Sequence, residues 1–299
     1  MTTTTRTSPP GAAPRRPRGG RGRGAGALVV PALALMGAAV LLPLFLSFLR
    51  SVTEPSPGLS NYAALLTDGV TLTIFSRTVL VAAAVTLATL VIGYPYAYLM
   101  TRVGGTARLL MVAAVLVPFW TSMTARNFAW LILEQREGPI DRALQTIGID
   151  GAVLLGSAWG VGLAMTQVML PFMVLPLYSA MSGIDRKLLL AAQGLGSRPL
   201  TAFRRVFLPL SRGGMISGGI LVFALSSGFY VTPAILGSPQ QSMVAQLLAQ
   251  RTNQLLDFAA AGALGTVVLV FTLLLVSLAG RFGGSATALG GAVQAKGGR

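Results

Sequence analysis

The sequence predicts an all-α integral membrane protein with six transmembrane helices, and three observations carry that expectation. Of its 299 residues 53% are hydrophobic and only 10% charged, whereas a soluble domain carries roughly a quarter Asp, Glu, Lys and Arg. Six long windows hold no Asp, Glu, Lys or Arg, at 24–49, 78–101, 109–125, 151–184, 213–250 and 258–280. The excess of 23 Lys and Arg over 8 Asp and Glu is sorted by side of the membrane rather than gathered on one surface. The same composition excludes disorder for most of the chain. With no Cys and no His, disulfides, thiol nucleophiles, imidazole bases and Cys/His metal sites are excluded as well.

Residues 1–24, ending Arg15-Arg16-Pro-Arg-Gly-Gly-Arg-Gly-Arg-Gly24, are rich in Gly, Pro and Arg and read as a disordered basic tail. Contact with anionic membrane lipids explains such a tail better than nucleic acid does, so no nucleic-acid partner is expected. The first helix and its outer loop occupy 25–74. That helix lacks a cleavage site and is long enough to span, so it is read as retained rather than as a signal peptide.

A helix rising about 1.5 Å per residue needs about 20 apolar residues to cross a hydrocarbon core of about 30 Å. The third window is short, and its span is expected to continue from Asn127 to Leu133 with Arg126 near an interface. The fourth is too short for two spans and a turn. The fifth should stop near Leu236, before the polar breaker Gly237-Ser-Pro-Gln-Gln241. The last span ends at about 280, leaving 282–299 as a tail.

Orientation follows from the charges. Segments 1–23, 102–108, 185–212 and 281–299 hold 17 of the Lys and Arg residues, and the segments between them hold 6. Seven of the eight acids fall on the second side, Asp185 being the exception. Both termini are therefore expected in the cytoplasm of a multi-pass cell-membrane protein.

The longest cytoplasmic loop, 181–212, reads as helix, turn, helix. Asp185 can cap a first helix, on which Leu188, Leu189, Ala192 and Leu195 form an apolar stripe. Gly196 is available for a left-handed helix stop, and Pro199 suits the first turn of a second helix. Phe203 and Phe207 lie four apart there. Apolar stripes facing water and rimmed by Arg describe a docking surface.

Leu190-Ala191-Ala192, three residues, Gly196, nine residues and Val206-x-Leu208-Pro209 resemble the EAA loop of ABC-importer permeases, Glu-Ala-Ala, three residues, Gly, nine residues, Ile-x-Leu-Pro. In that family the loop is the coupling helix seated in a groove of the cytoplasmic ATPase. Leu190 stands where the family carries Glu. A second stretch is similar to polyamine (spermidine/putrescine)-type permeases: Pro118-Phe-Trp120, Arg126-Asn-Phe-Ala-Trp130 and Gly138-Pro-Ile-Asp141, with Asp141 for the usual Asn. The resemblance covers about 75–281 and implies the type I ABC-importer permease fold. It also implies a second homologous permease, an ATP-binding subunit in two copies and an extracytoplasmic solute-binding protein. The solute implied is a polyamine or a related small solute.

Trp120, Arg126, Trp130, Gln167 and Tyr230 are the candidates for the translocation pathway. Aromatic rings can stack on a cation, and a charge at the edge of a span is often functional. Belt aromatics, a snorkelling guanidinium and helix–helix hydrogen bonds are the plainer readings of the same residues. Pro171, Pro176 and Pro233 can let spans four and five bend. Carboxylates are absent from all six windows, so selectivity is expected in the external binding protein. No Gly-x-x-x-x-Gly-Lys-Ser/Thr loop, paired carboxylates or nucleophile is present. The chain is thus expected to need no cofactor and to be no enzyme, with its energy source on another chain. An autonomous secondary transporter driven by an ion gradient is the alternative, and the charge-free spans argue against it.

Reporter fusions after Gly24, Ala64, Gly196 and Arg299 are expected to report in, out, in and in. An extracytoplasmic signal at Gly196 would overturn the assigned topology.

Overall fold

The computed structural model describes residues 23–149, 151 and 153–294. Most of the expected tail at 1–24 lies outside the described residues, and Arg23 and Gly24 already belong to the first helix. The helices are α1 (Arg23–Thr53), α2 (Ser60–Thr67), α3 (Gly69–Arg102), α4 (Gly105–Trp120), α5 (Met123–Glu134), α6 (Pro139–Thr146) and α7 (Ala158–Ser182). They continue with α8 (Arg186–Gly194), α9 (Pro199–Leu210), α10 (Arg212–Ser227), α11 (Val231–Leu236), α12 (Val244–Asn253) and α13 (Phe258–Gln294). The last helix runs beyond the expected end of its span at 280. Among the described residues no strand forms, only one bridge between Gly156 and Gly237.

Four segments are long and apolar enough to cross a membrane, Pro31–Thr53 within α1, α3, α7 and Phe258–Arg281 within α13. The count reaches six when two bent pairs are each taken as one span. This corrects the straight third span. The chain stops α4 at Trp120 and restarts at Met123, turning by 97°. The Ser122 hydroxyl accepts from the Ala125 N–H at 3.5 Å and caps the new helix. The fifth span also differs. It bends by 56° between Leu210 and Arg212, and α10 ends at Ser227 rather than near Leu236. Gly228 to Tyr230 separate it from α11. Pro171 and Pro176 leave α7 unbroken.

The centre of the bundle is α7, flanked by α3 and α10. Met165, Met169, Met173, Leu177 and Met181 are fully buried along it. Methionine is unbranched and fills irregular gaps. Lipid supplies no hydrophobic force between helices, so close backbone approach at small residues must hold them. A Cβ at Gly214 would lie 2.7 Å from Ala180 Cβ and 3.0 Å from the Pro176 oxygen. At Gly218 it would lie 2.9 Å from Met173 Sδ. On the facing side, Gly93 of α3 would meet Met173 at 3.2 Å. At the end of the bundle away from α8, the Val244 N–H donates to Thr78 Oγ1 at 2.9 Å, and Arg77 to the Ser242 oxygen at 3.2 Å. These bonds tie the 237–243 segment to α3.

Gly214→Ala is expected to lower the thermal midpoint of the purified protein, because overpacking against backbone costs about 1–3 kcal/mol. Gly219→Ala, where the nearest neighbour of a Cβ is Thr86 Cγ2 at 3.7 Å, should be neutral or stabilising through helix propensity of about 1 kcal/mol. Equal midpoints for the two variants, read by thermal unfolding in detergent, would contradict the close α7–α10 approach.

Candidate functional site

Residues 181–212 fold as a helix, a tight turn and a second helix, and each step has a local cause. Asp185 accepts from the Lys187 N–H at 2.9 Å and caps α8. Gly196 follows with φ +89°, a left-handed backbone that only glycine adopts freely. Its N–H donates to the Gln193 oxygen at 2.9 Å, and the Ser197 N–H to the Ala192 oxygen at 3.1 Å. Pro199 opens α9. Pro209 removes a helical donor. The preceding residues, Phe203–Phe207, form a π turn, closed by the Leu208 N–H on the Phe203 oxygen.

The two phenylalanines expected on the water-facing stripe turn inward. Phe203 and Phe207 stack at 5.5 Å and meet Tyr98 of α3 edge-on at 5.4 and 5.1 Å. The Tyr94 and Ser211 hydroxyls pair at 2.9 Å. Burial of the aromatic faces outweighs their exposure to water, so α9 is fastened to α3. Leu189 and Ala192 are half-buried, and Leu189 packs against the main core. The residues left outward are Leu188, Leu190, Leu195 and Leu200, with Leu195 90% exposed. Ala191 is exposed beside them, while Val206, Leu208 and Pro209 are half-buried. Arg186 of α8 donates to the Thr101 oxygen, and Arg108 of α4 donates to the Met100 and Val103 oxygens at 3.3 and 3.1 Å. Cations thus cap the open carbonyls at the end of α3.

The five candidate pathway residues do not converge. Trp130 and Gln167 do meet, the indole N–H donating to the amide oxygen at 2.8 Å and joining α5 to α7. Arg126 turns to the break after α4, where it donates to the Pro118 oxygen and, at 3.3 Å, to the Thr121 oxygen. Its charge serves the exposed carbonyls of a helix end. Trp120 is 78% exposed and Tyr230 also lies at the surface. Pro233 sits within α11, past the break.

Two polar features escape the charge-free windows. Asn127 and Thr232 are buried and hydrogen-bonded at 2.8 Å, joining α5 to α11. Glu134 ends α5 buried, and among the described residues neither carboxylate oxygen has a hydrogen-bond partner. It lies against the first turn of α7, where a Cβ on Gly160 would overlap the Glu134 carboxylate and the Leu154 oxygen. A helix N-terminus favours a carboxylate there. In the sequence Glu134 reads as a loop acid, since its contact with Gly160 of α7 is not visible there.

No protein-family model matches the chain. It is 33% identical over 209 residues to the inner membrane ABC transporter permease protein YdcU of Escherichia coli, covering 65% of this chain and 66% of that one. It is 32% identical over 195 residues to the spermidine/putrescine transport system permease protein PotB of Haemophilus influenzae, covering 64% and 68%. It is 31% identical over 250 residues to a probable molybdenum ABC transporter permease protein of Haloferax volcanii, covering 83% and 90%. Its fold matches the crystal structure of a bacterial ABC transporter that imports the acidic polysaccharide alginate, with TM-score 0.70 at 15% identity over 88% of this chain and 96% of that one.

A double-mutant cycle of Trp130→Phe with Gln167→Leu is expected to give a coupling of about 0.6–1.7 kcal/mol, the range for interhelical hydrogen bonds in a bundle. Unfolding midpoints of the four proteins supply it. Additive effects would mean that this bond does not join α5 to α7.

Proposed function

The chain belongs to the ABC-importer permeases of the cell membrane, and from that premise we propose that residues 181–212 are the surface on which an ATP-binding subunit docks. The observation that carries this reading is the pairing of an exposed apolar patch with a fixed base. Leu190, Leu195 and Leu200 are 65%, 90% and 68% exposed. The two helices that carry them are set at their angle by the left-handed Gly196 and fastened to α3 through Phe203, Phe207 and Tyr98. A patch that moved freely could bind a partner but could not pass its motion on. With Leu190 in place of an acid, contact at that position is apolar.

Under this reading both termini are cytoplasmic, and the chain forms half of a pathway completed by a second, homologous permease. Two ATP-binding subunits close on ATP and push α8 and α9. The motion reaches α3 and α7, and the bundle alternates between inward-open and outward-open states. The chain itself performs no bond chemistry. An extracytoplasmic binding protein delivers a polyamine or a related small solute, a reading supported by the similarity to a spermidine/putrescine permease and by the Pro118–Asp141 stretch. Trp130, Gln167, Trp120, Arg126 and Tyr230 remain its pathway residues, the first two as the pair that joins α5 to α7. A gradient-driven transporter working alone gains no support from this family.

Gly196→Val would strain a left-handed backbone by about 1–2 kcal/mol and misdirect α9. Ala192→Arg would force a long cation into a half-buried position on α8. Both variants are expected to insert and to pair with the second permease, yet to lose co-purification of the ATP-binding subunit or binding-protein-stimulated ATP hydrolysis. Parent-level assembly and hydrolysis in both would remove this segment from the coupling role.

A further inference from the structure

Beneath α8, where α3 and α7 end and α4 begins, a cavity of about 220 Å³ is lined by Arg102, Arg108 and Arg186 with the hydroxyl-bearing Thr101, Tyr178 and Ser182. We propose that this cavity binds the phosphate of an anionic phospholipid, held by three guanidinium groups from three different helices.

The charge balance demands an anion. No acidic residue lines the cavity. The two ion pairs among the described residues, Arg50–Glu54 and Arg251–Asp68, involve none of these arginines. Asp185, the nearest acid in sequence, is engaged as the cap of α8. What opposes the three cations inside the protein is Asp185, which keeps its charge while it caps α8; the C-terminal dipoles of α3 and α7, each equivalent to roughly half a negative charge, are offset by the N-terminal dipoles of α4 and α8. About one negative charge against three positive ones leaves the site strongly electropositive.

The donors are available. Arg186 gives one N–H to the Thr101 oxygen, and Arg102 gives one to the Tyr98 hydroxyl while its guanidinium lies 4.9 Å from that ring's centroid. Arg108 gives two, to Met100 and Val103. A guanidinium carries five, so most remain for a phosphate, whose oxygens match the planar fork of arginine. The volume is below the roughly 300–1,000 Å³ of a drug-sized pocket and suits one headgroup phosphate. Ile184, Leu189 and Phe207 line the same cavity, which gives it an apolar wall beside the cations. A lipid has the matching layout, a charged head continuous with an apolar chain. Basic pockets between membrane helices on the cytoplasmic side are built for such headgroups. Because Arg186 opens α8, an occupied cavity would join the docking segment to the end of α3 and the start of α4 through the lipid.

The intact transporter, delipidated in neutral detergent, is the material for the test. Added phosphatidylglycerol is expected to raise its thermal midpoint saturably, and phosphatidylcholine to leave it unchanged. Arg102→Gln and Arg186→Gln should each abolish the shift, whereas Arg205→Gln, an exposed residue of α9 outside the cavity, should keep it. Should Arg186→Gln fail to fold, Arg102→Gln decides alone, since Arg102 makes no bond to the α3 carbonyls. A shift given by millimolar inorganic phosphate but not by phosphatidylglycerol would overturn the lipid as occupant. The absence of any arginine-dependent shift with either would overturn the anion site.

Discussion

A helix that stops in or beside a bilayer leaves open carbonyls, and the less water reaches them the more another group of the protein must meet them. This constraint organises the molecule wherever its helices break. Where α4 ends at Trp120, Arg126 reaches back to the Pro118 and Thr121 oxygens. Where α3 ends at Arg102, Arg108 and Arg186 supply donors from α4 and α8. At the other end of the bundle the Gly156 N–H donates to the Leu236 oxygen at 2.8 Å. Arginine recurs because its forked donors can serve a carbonyl while the rest of the charge faces headgroups or water. The helix ends are consequently also the joints between elements. A motion imposed on α8 must strain the Arg186 bond to the end of α3.

Much of this architecture was legible from the placement of charge. The windows at 24–49, 78–101, 151–184 and 258–280 each correspond to a long apolar helix. The other two windows failed as straight spans for one reason: freedom from charge reports depth in the membrane and says nothing about continuity. Ser122, a capping residue two places after Trp120, is a local signal for the break. Gly228 is another, just past the true end of α10. Pro171 and Pro176 lie inside a helix that runs on past both of them, with α3 and α10 packed against it.

The candidate site was legible in outline and misread in facing. Asp185, Gly196 and Pro199 do locally what their chemistry indicates, one capping, one turning and one restarting a helix. Whether Phe203 and Phe207 face water or protein could not follow from spacing, since it is fixed by Tyr94 and Tyr98, over a hundred positions away. Their inward turn changes the picture from a purely apolar landing patch to a patch with an aromatic root. Glu134 was invisible for the same reason. Its burial depends on Gly160, whose missing side chain makes room for the carboxylate, and no pattern around position 134 points to that.

The central claim is that α8 and α9 form the contact through which an ATP-binding partner moves α3 and α7. The chain contains no cysteine, so single cysteines report position without background. Cysteines placed singly at Leu195, Leu200 and, as a control at the opposite end, Gln240 can be tested for cross-linking to the ATP-binding subunit in the assembled transporter. Cross-links are expected from Leu195 and Leu200, changing in yield between nucleotide-free and ATP-bound states, and none from Gln240. Cross-linking absent at both leucines, or confined to Gln240, would contradict it.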